Sequence, residues 1–310
     1  MRVVLVGLGP IGVEAGRALA GRVELAGAAD PAHAGRDLGE LLGGAASGVS
    51  VVPEAAALYA ATRPAVAVLC TGSTLAAIAP SLDEAIAAGV HVVSSCEELA
   101  QPYLRRPDLA AALDGKARAR GVALVGAGVN PGLVMDRLAA TVLSACARVE
   151  RVRLTRIVDA GRRRGPLRAK VGEGLTPEAF RAGVAAGRLG HVGLAESAAV
   201  VAAYLGDEAP LAAIRETIDP VVDPASGLVL GVHQTAEVGR VHLELQMSVG
   251  APDPHDRIVV DGDPPCDLRI AGGLHGDRAT VGTLVNGVRV VTRMPPGLHG
   301  VLAISPEVGL

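Results

Sequence analysis

The sequence predicts an α/β protein, with a parallel-sheet domain followed by a second α+β domain that has an open mixed sheet. Three observations predict this class. Apolar runs alternate with helical stretches over the first 130 residues, as in parallel sheets with right-handed crossovers. A glycine-rich turn follows the first apolar run. Beyond residue 133 the pattern changes, and residues 240–249 alternate between apolar and polar, as a half-buried strand does.

The first domain is predicted to comprise residues 1–132, and the tail, residues 277–310, is expected to return to it. Its apolar runs are continuous, as in strands that are buried on both faces. Strands are expected at 3–6, 23–29, 49–52, 65–70, 91–95 and 122–125. Helices are expected at 11–20, 54–61, 75–88 and 108–120, and Gly21, Gly89 and Gly121 end three of them.

The second domain is predicted to comprise residues 133–276. Strands are expected at 151–158, 227–238 and 256–260, beside the alternating strand at 240–249. Helices are expected at 177–188, where Thr176 and Pro177 form a start signal, at 192–205, and at 277–291 in the tail. Because an open sheet face is a common dimer surface, we expect a homodimer.

The glycine-rich turn is Gly7-Leu8-Gly9-Pro10-Ile11-Gly12. In a Rossmann-type domain the first glycine permits the tight turn, the second lets a pyrophosphate approach the backbone, and the third lets helix and sheet pack closely. The N–H groups of the following helix attract the phosphates. Asp30, eighteen residues after Gly12, can bind the ribose 2′-hydroxyl and would repel a 2′-phosphate. The turn predicts a dinucleotide, and Asp30, which is followed by Pro31 rather than a basic pair, favours NAD over NADP.

Ligands of such sheets bind beyond the carboxyl ends of the strands. Three predicted strand ends therefore supply candidate cofactor contacts, namely Thr71-Gly72-Ser73, Ser95-Cys96 and Asn130. Asn130 is also a candidate substrate contact. The alternative is that Asn130-Pro131-Gly132 is only a turn that starts the second domain.

Glu97 and Glu98 follow Cys96, where the nicotinamide ring is expected. Hydride transfer needs a group that handles protons, and a carboxylate in an apolar cleft has the raised pKa of a general base. Two adjacent carboxylates cannot both point the same way, so one is expected to face the cleft. The alternative is that both are first-turn acids favoured by the helix dipole.

Two further candidate substrate contacts lie in the second domain. His191 precedes a predicted helix, where a lone histidine is more often structural. Arg164 belongs to an arginine-rich segment, residues 159–168, which either binds an acidic group or forms a solvated loop.

Composition argues against several classes of protein. The net charge of −3 over 310 residues gives no electrostatic reason to expect nucleic acid or an anionic membrane as a partner. The four cysteines lack metal-ligand spacing, so no metal site is expected. A strand that begins at once and apolar runs too short to span a membrane predict a cytoplasmic enzyme. Aromatic residues make up 1% of the chain, so a substrate pocket must be mainly aliphatic.

Several motifs resemble those of the 2,4-diaminopentanoate dehydrogenase family and the native amine dehydrogenases related to it. They are Ser95-Cys96-Glu97-Glu98-Leu99, Val129-Asn130-Pro131-Gly132, Val158-Asp159-Ala160 with Arg163-Arg164, Lys170-Val171-Gly172-Glu173-Gly174-Leu175-Thr176, and Gly190-His191-Val192-Gly193-Leu194-Ala195-Glu196-Ser197. The family is similar to dihydrodipicolinate reductase in architecture, but the lysine- and histidine-rich substrate motif of that reductase is missing here. The Asn-Ala-Ile-Pro stretch usual in the family's tails is replaced by Asn286-Gly287-Val288-Arg289.

The resemblance implies NAD(P)-dependent oxidative deamination of an amine, or reductive amination of a ketone or aldehyde with ammonia. The family's active-site glutamate corresponds to the Glu97-Glu98 pair. We expect Glu97, which is closer to the strand end, with Glu98 as the alternative. The alternative activities are 2,4-diaminopentanoate dehydrogenase proper, and a reductase or dehydrogenase of the same fold that acts on an imine, aldehyde or hydroxy acid without ammonia. A dinucleotide-sensing regulatory protein is the non-enzyme alternative.

Overall fold

The computed structural model describes residues 1–162 and 165–305 of the chain. The chain divides into two compact units, Met1–Leu133 together with Gly276–Leu310, and Val134–His275. Within the described residues, no helix is long and apolar enough to cross a membrane.

Twelve β-strands and ten α-helices form the framework of the described residues. The strands are β1 (Arg2–Val6), β2 (Glu24–Ala29), β3 (Val66–Leu69), β4 (His91–Ser94), β5 (Ala123–Gly126), β6 (Arg148–Asp159), β7 (Arg215–Val222), β8 (Val229–Val238), β9 (Val241–Ser248), β10 (His255–Asp263), β11 (Cys266–Ala271) and β12 (Gly297–His299). The helices are α1 (Pro10–Leu19), α2 (Leu38–Leu41), α3 (Ala55–Thr62), α4 (Leu75–Ala88), α5 (Pro107–Arg120), α6 (Leu138–Leu143), α7 (Gly165–Lys170), α8 (Pro177–Ala185), α9 (Leu194–Tyr204) and α10 (Gly276–Val291).

The first unit is built on a six-stranded parallel sheet in the order β12-β5-β4-β3-β1-β2, which confirms the predicted parallel sheet. Strands β3 and β5 are buried along their whole length, because helices cover both faces of such a sheet. The strand expected at 49–52 is wrong. Ser50 and Val52 make only isolated bridges, and the sixth position in the sheet is taken by β12. Pro53 follows at once and lacks the N–H that a continuing strand needs.

Local sequence signals set the helix ends of this unit. Pro10 occupies the first turn of α1, and Thr74 caps α4 by accepting the Ala77 N–H at 3.3 Å. Gly89 and Gly121 end α4 and α5 with φ angles of 74° and 77°, the left-handed conformation that terminates helices. The tail helix α10 packs against α1 and β4.

The second unit is built on an open six-stranded sheet in the order β11-β10-β6-β9-β8-β7. The central pair, β6 and β9, is parallel and the other neighbours are antiparallel, so the sheet is mixed, as predicted. Strand β9 alternates buried Leu243 and Leu245 with half-buried His242 and Glu244. Helix α9 packs on β8 and β9, and the half-buried residues of β9 form the opposite face.

Three strands have no counterpart in the sequence analysis. Strands β7 and β11 lie at the two edges of the second sheet and have no fully buried residue. An edge strand faces water along one side, so its sequence lacks the regular apolar pattern that identifies inner strands. Strand β12 has three residues, which is too short for any periodicity to be recognised.

Candidate active site

The five strand ends that were expected to form a site share one edge of the first sheet. Strands β1 to β5 are parallel neighbours, so the segments that follow them leave the sheet on the same side. These segments contain the glycine turn after β1, Asp30 after β2, Thr71 after β3, residues 95–98 after β4 and residues 127–132 after β5.

Two glycines of the turn are required by packing. Gly7 has φ 88°, and a Cβ atom there would lie 2.7 Å from the carbonyl oxygen of Cys70. A Cβ atom on Gly12 would lie 1.9 Å from the carbonyl oxygen of Gly7. Both contacts are with backbone atoms, which cannot move aside without disturbing the sheet. The turn therefore folds as the motif predicts.

Gly9 differs, because a Cβ atom there would have no atom within 4 Å beyond those of Gly9 and its two chain neighbours. Gly9 is the N-cap of α1 and makes no side-chain cap, while Pro10 and Ile11 start the helix. The absence of a side chain leaves the backbone at this helix N-terminus open to a ligand. Such a position suits an anion, and a pyrophosphate fits it.

Asp30 is bonded within the protein on both carboxylate oxygens. Its Oδ2 accepts the Leu8 N–H at 2.6 Å, and its Oδ1 accepts the Ala32 N–H at 2.8 Å. It therefore joins the glycine turn to the loop after β2, a role that sequence reasoning missed. Each carboxylate oxygen can accept a second hydrogen bond, so a ribose hydroxyl can still bind.

A cavity of about 550 Å³ opens at the turn, within the size range of small-molecule sites. Its lining combines predicted residues with acidic residues that the sequence analysis did not single out. The lining residues are Val6, Gly7, Gly9, Ala29, Asp30, Pro31, Pro53, Glu54, Ala55, Cys70, Thr71, Ser81 and Glu84. The cavity and the open Gly9 backbone fit the pyrophosphate and adenosine part of a dinucleotide.

The loop between β3 and α4 is hydrogen-bonded to the segment that contains Glu97 and Glu98. Thr71 is exposed and lines the cavity, and Gly72 packs against Ile78, with a Cβ position 3.2 Å from its Cγ2 atom. The carbonyl oxygen of Ser73 accepts the Glu98 N–H at 3.2 Å. This contact holds two candidate segments, the loops after β3 and β4, side by side.

Ser95 and Cys96 follow β4 with different exposures. Ser95 is half-buried, its N–H donates to Leu69, and it hydrogen-bonds the thiol of Cys70. Cys96 belongs to the hydrophobic core, and burial, followed by the charge of Glu97, raises the pKa of its thiol to about 12. The Cys96 thiol is therefore protonated. Because the residue is 3% exposed, the predicted contact of Cys96 with the cofactor is assigned to its backbone.

The two glutamates have different environments. Glu98 is buried, and its Oε2 accepts the Leu75 N–H at 2.6 Å, at the first residue of α4. Its Oε1 lies 3.8 Å from the Nε of Arg105. Glu97 begins the 3₁₀ turn Glu97–Ala100 and is half-buried. Glu98 thus caps a helix, although α4 precedes it in the chain, and Glu97 is the more accessible of the two carboxylates.

Asn130 is half-buried in a tightly folded loop. A Cβ atom on Gly128 would lie 2.6 Å from the carbonyl oxygen of Pro131, and Gly132 has φ 131°. The Val129 N–H donates to Thr280 Oγ1 of α10 at 3.3 Å. The loop is therefore a tight turn that holds Asn130 at the ligand edge of the sheet, and the role of its side chain in binding stays a prediction.

His191 belongs to the second unit, whereas the other described candidates belong to the first. Its backbone is held on both sides by the buried side chain of Gln234, which accepts the His191 N–H at 3.0 Å and donates to the His191 carbonyl at 2.9 Å. Gln234 is a residue that sequence reasoning missed. Arg164 lies outside the described residues. In the part of the chain that the structure describes, no three His, Cys, Asp or Glu side chains are grouped as a metal site would need.

Solved structures share this fold. The amine dehydrogenase from Mycobacterium smegmatis superposes with a TM-score of 0.83 at 24% identity, covering 100% of this chain and 97% of that chain. Dihydrodipicolinate reductase from Paenisporosarcina sp. TG-14 gives a TM-score of 0.56 at 14% identity, with 98% and 99% coverage. GenD2 from gentamicin A biosynthesis, in complex with NAD, gives 0.56 at 19% identity, with 98% and 90% coverage. These similarities confirm the predicted dihydrodipicolinate reductase-like architecture.

Sequence comparison identifies the family to which the chain belongs. Residues 133–308 match the 2,4-diaminopentanoate dehydrogenase C-terminal domain. The 2,4-diaminopentanoate dehydrogenase of Acetoanaerobium sticklandii is 31% identical over 255 residues, which cover 76% of this chain and 72% of that relative. The resemblance seen in the motifs is thereby confirmed. The chain belongs to the 2,4-diaminopentanoate dehydrogenase family and is an NAD(P)-dependent dehydrogenase of the dihydrodipicolinate reductase-like fold.

Proposed function

We propose that the protein catalyses NAD-dependent oxidative deamination of a small amine and the reverse reaction, reductive amination of a ketone or aldehyde with ammonia. One observation carries the proposal. Glu97 is a half-buried carboxylate at the sheet edge that also bears the glycine turn, whereas the carboxylate of Glu98 is held by α4. The names of the family and of the amine dehydrogenase with the same fold support the substrate class.

The cofactor site is proposed to extend along this edge of the sheet. Gly9 and the N-terminus of α1 would hold the pyrophosphate, and Asp30 the adenosine ribose, which favours NAD. Thr71 and Ser95, the backbone of Cys96 and the side chain of Asn130 would contact the rest of the dinucleotide. When bound, the nicotinamide accepts or supplies the hydride.

Glu97 is the proposed proton-handling residue. In the aminating direction its carboxylate takes a proton from ammonium, so that ammonia can add to the carbonyl carbon. It returns that proton to the hydroxyl of the carbinolamine, which leaves as water, and the restored carboxylate charge stabilises the iminium cation that receives the hydride. Removal of one preorganised electrostatic group of this kind lowers kcat by about 10²- to 10³-fold. Asn130 and His191 are proposed substrate contacts, and Arg164 stays a prediction from the sequence.

A second candidate is 2,4-diaminopentanoate dehydrogenase activity itself. It is favoured by the relative that is 31% identical to the chain and carries that name. The two candidates share the proposed chemistry at Glu97 and differ in the amine, and therefore in the carbonyl product. The diamino acid yields a 2-amino-4-oxo acid.

We further propose that the chain acts in the cytoplasm as a homodimer, formed through the half-buried face of the second sheet. Acidic and basic groups alternate there, with Arg153 Nη1 3.2 Å from Asp261 Oδ2 and His233 Nε2 3.0 Å from Glu244 Oε1. A face with both signs of charge can pair with a copy of itself about a two-fold axis. Light scattering after size exclusion should give twice the monomer mass, and a monomer mass would contradict the dimer.

The activity is tested by following NADH oxidation with ketones, aldehydes and 2-amino-4-oxo acids, with and without ammonia. Oxidation that depends on ammonia supports reductive amination. Equal rates without ammonia would instead identify a carbonyl reductase of the same fold.

The role of Glu97 is tested by Glu97→Gln, which keeps the shape of the side chain and removes its charge. We expect kcat to fall by about 10²-fold or more, while NADH binding is unchanged. Glu98→Gln is the matched control, because the amide oxygen can still accept the Leu75 N–H. Full activity of Glu97→Gln would contradict the assignment.

A further inference from the structure

The cavity at the glycine turn is acidic. Three carboxylates line it, and they come from three separate segments: Asp30 after β2, Glu54 before α3 and Glu84 on α4. Among the described residues of the lining, none is lysine, arginine or histidine. The open backbone at Gly9 indicates a ligand position in this cavity independently of its charge. The three carboxylates line the same cavity as Gly9.

Asp30 and Glu54 contribute their charges in different ways. Asp30 is fixed by its bonds to the N–H groups of Leu8 and Ala32, so its negative charge cannot swing away from the cavity. Glu54 is the N-cap residue of α3, yet its side chain makes no capping hydrogen bond. An exposed carboxylate that does not cap its helix can turn towards a ligand in the cavity.

Glu84 contributes from α4, on which it is exposed. The pKa of the buried Tyr59 hydroxyl is raised mainly by burial and secondly by the negative charge of Glu84. No sequence motif marks Glu54 or Glu84. Only the fold brings them to the wall that also contains Asp30.

NAD and NADP differ by a 2′-phosphate on the adenosine ribose, which adds nearly two negative charges at neutral pH. A carboxylate about one Debye length from that phosphate disfavours it about two- to fourfold in a water-like dielectric. Two such carboxylates act additively when they are independent, which gives about tenfold.

We propose that Glu54 and Glu84, acting with Asp30, form an acidic rim that selects NAD(H) against NADP(H). This inference rests on the proposed NAD dependence and assigns it to two residues beyond Asp30. The rim lowers the affinity for NADPH more than the affinity for NADH, because both share the pyrophosphate and only NADPH carries the 2′-phosphate.

The experiment measures Kd for NADH and NADPH directly, by nicotinamide fluorescence, with the full-length protein and its Glu54→Gln, Glu84→Gln and double variants. We expect the Kd for NADPH to fall about two- to fourfold for each single variant and about tenfold for the double variant. The Kd for NADH stays within about twofold, and the gain in NADPH affinity shrinks at high salt.

Asp83→Asn is the matched control. Asp83 precedes Glu84 on α4, but it pairs with Lys116 at 2.7 Å and lines a separate groove beside α5. Its neutralisation should leave the ratio of the two Kd values unchanged. A change as large as that of Glu84→Gln would overturn the rim, because it would reflect net charge alone.

Three other outcomes would overturn the proposal. An unchanged Kd ratio in the double variant would reject the rim while leaving amine dehydrogenation intact. The competing hypothesis is that a cation in the loop after Asp30 binds the 2′-phosphate, and Arg36 is the residue that tests it. Its Nη1 lies 3.5 Å from His33 Nδ1. Loss of tight NADPH binding in Arg36→Ala would reveal a 2′-phosphate site instead of a rim. Binding of neither dinucleotide would overturn the proposed function together with the rim.

Discussion

Replacement of Glu98 by alanine tests the different roles of the two adjacent glutamates. The Glu98 carboxylate accepts the Leu75 N–H at 2.6 Å, and Leu75 is 1% exposed. Leu75 is the first residue of α4, and the first N–H groups of a helix have no partner inside it. The Thr74 side chain serves Ala77, so it does not replace Glu98 at Leu75. The Glu98→Ala variant therefore leaves a buried donor without its carboxylate.

The expected loss of stability follows from these contacts. A buried donor without a partner costs about 1–3 kcal/mol. Loss of a carboxylate at a helix N-terminus adds about 0.3–1 kcal/mol. We therefore expect the free energy of unfolding to fall by about 2–3 kcal/mol, which lowers Tm by about 3–5 °C for a chain of this size. Glu98→Gln keeps an oxygen acceptor and should lose about half as much.

The assay is thermal unfolding followed by circular dichroism, together with hydrogen exchange at the Leu75 amide. In Glu98→Ala the Leu75 amide should exchange faster than in the parent protein. Glu97→Ala is the reference, and it should lose less stability than Glu98→Ala, because Glu97 is half-buried and the Leu75 N–H donates to Glu98. Equal losses of stability in Glu97→Ala and Glu98→Ala would refute the different roles given to the two residues.

Two further comparisons test the packing of each unit. Gly12→Ala places a Cβ atom 1.9 Å from a backbone oxygen and should destabilise the protein by about 2–3 kcal/mol. Gly9→Ala fills open space, so it should leave Tm unchanged and weaken NADH binding. Calorimetry measures both effects. Arg156→Ala leaves the buried carboxylate of Asp256 without its partner at 2.5 Å and should cost about 3–5 kcal/mol in urea unfolding. Arg153→Ala removes an exposed ion pair and should cost less than about 1 kcal/mol. A larger loss of stability in Arg153→Ala than in Arg156→Ala would contradict the assignment of the Arg156 pair as the buried, stabilising one.

The features that were predictable from sequence depend on neighbours in the chain. The glycine turn, the proline start of α1 and the glycine ends of α4 and α5 each follow from the conformation of one or two residues. Inner strands were predictable because burial on one or both faces imposes an apolar pattern. The run at 49–52 has that pattern without being a strand, since a proline ends its pairing.

The details of the site were not predictable because they depend on distant partners. Glu98 is separated from Leu75 by 23 residues, so nothing local distinguishes its role from that of Glu97. His191 is positioned by Gln234, which is 43 residues away. A polar residue in a β-strand is usually assigned to the solvent face, whereas Gln234 is buried, and its amide hydrogen-bonds the His191 backbone and the Glu216 carboxylate.

Asp30 shows why affinity and folding are coupled at the cofactor site. The carboxylate proposed to recognise the ribose also accepts the Leu8 N–H within the glycine turn. A substitution at Asp30 therefore changes the turn and the ligand contact together, so its effect on cofactor preference cannot be assigned to repulsion alone. Glu54 and Glu84 line the same cavity from α3 and α4 without bonding the turn. Their neutralisation isolates the electrostatic contribution to the choice between NAD and NADP.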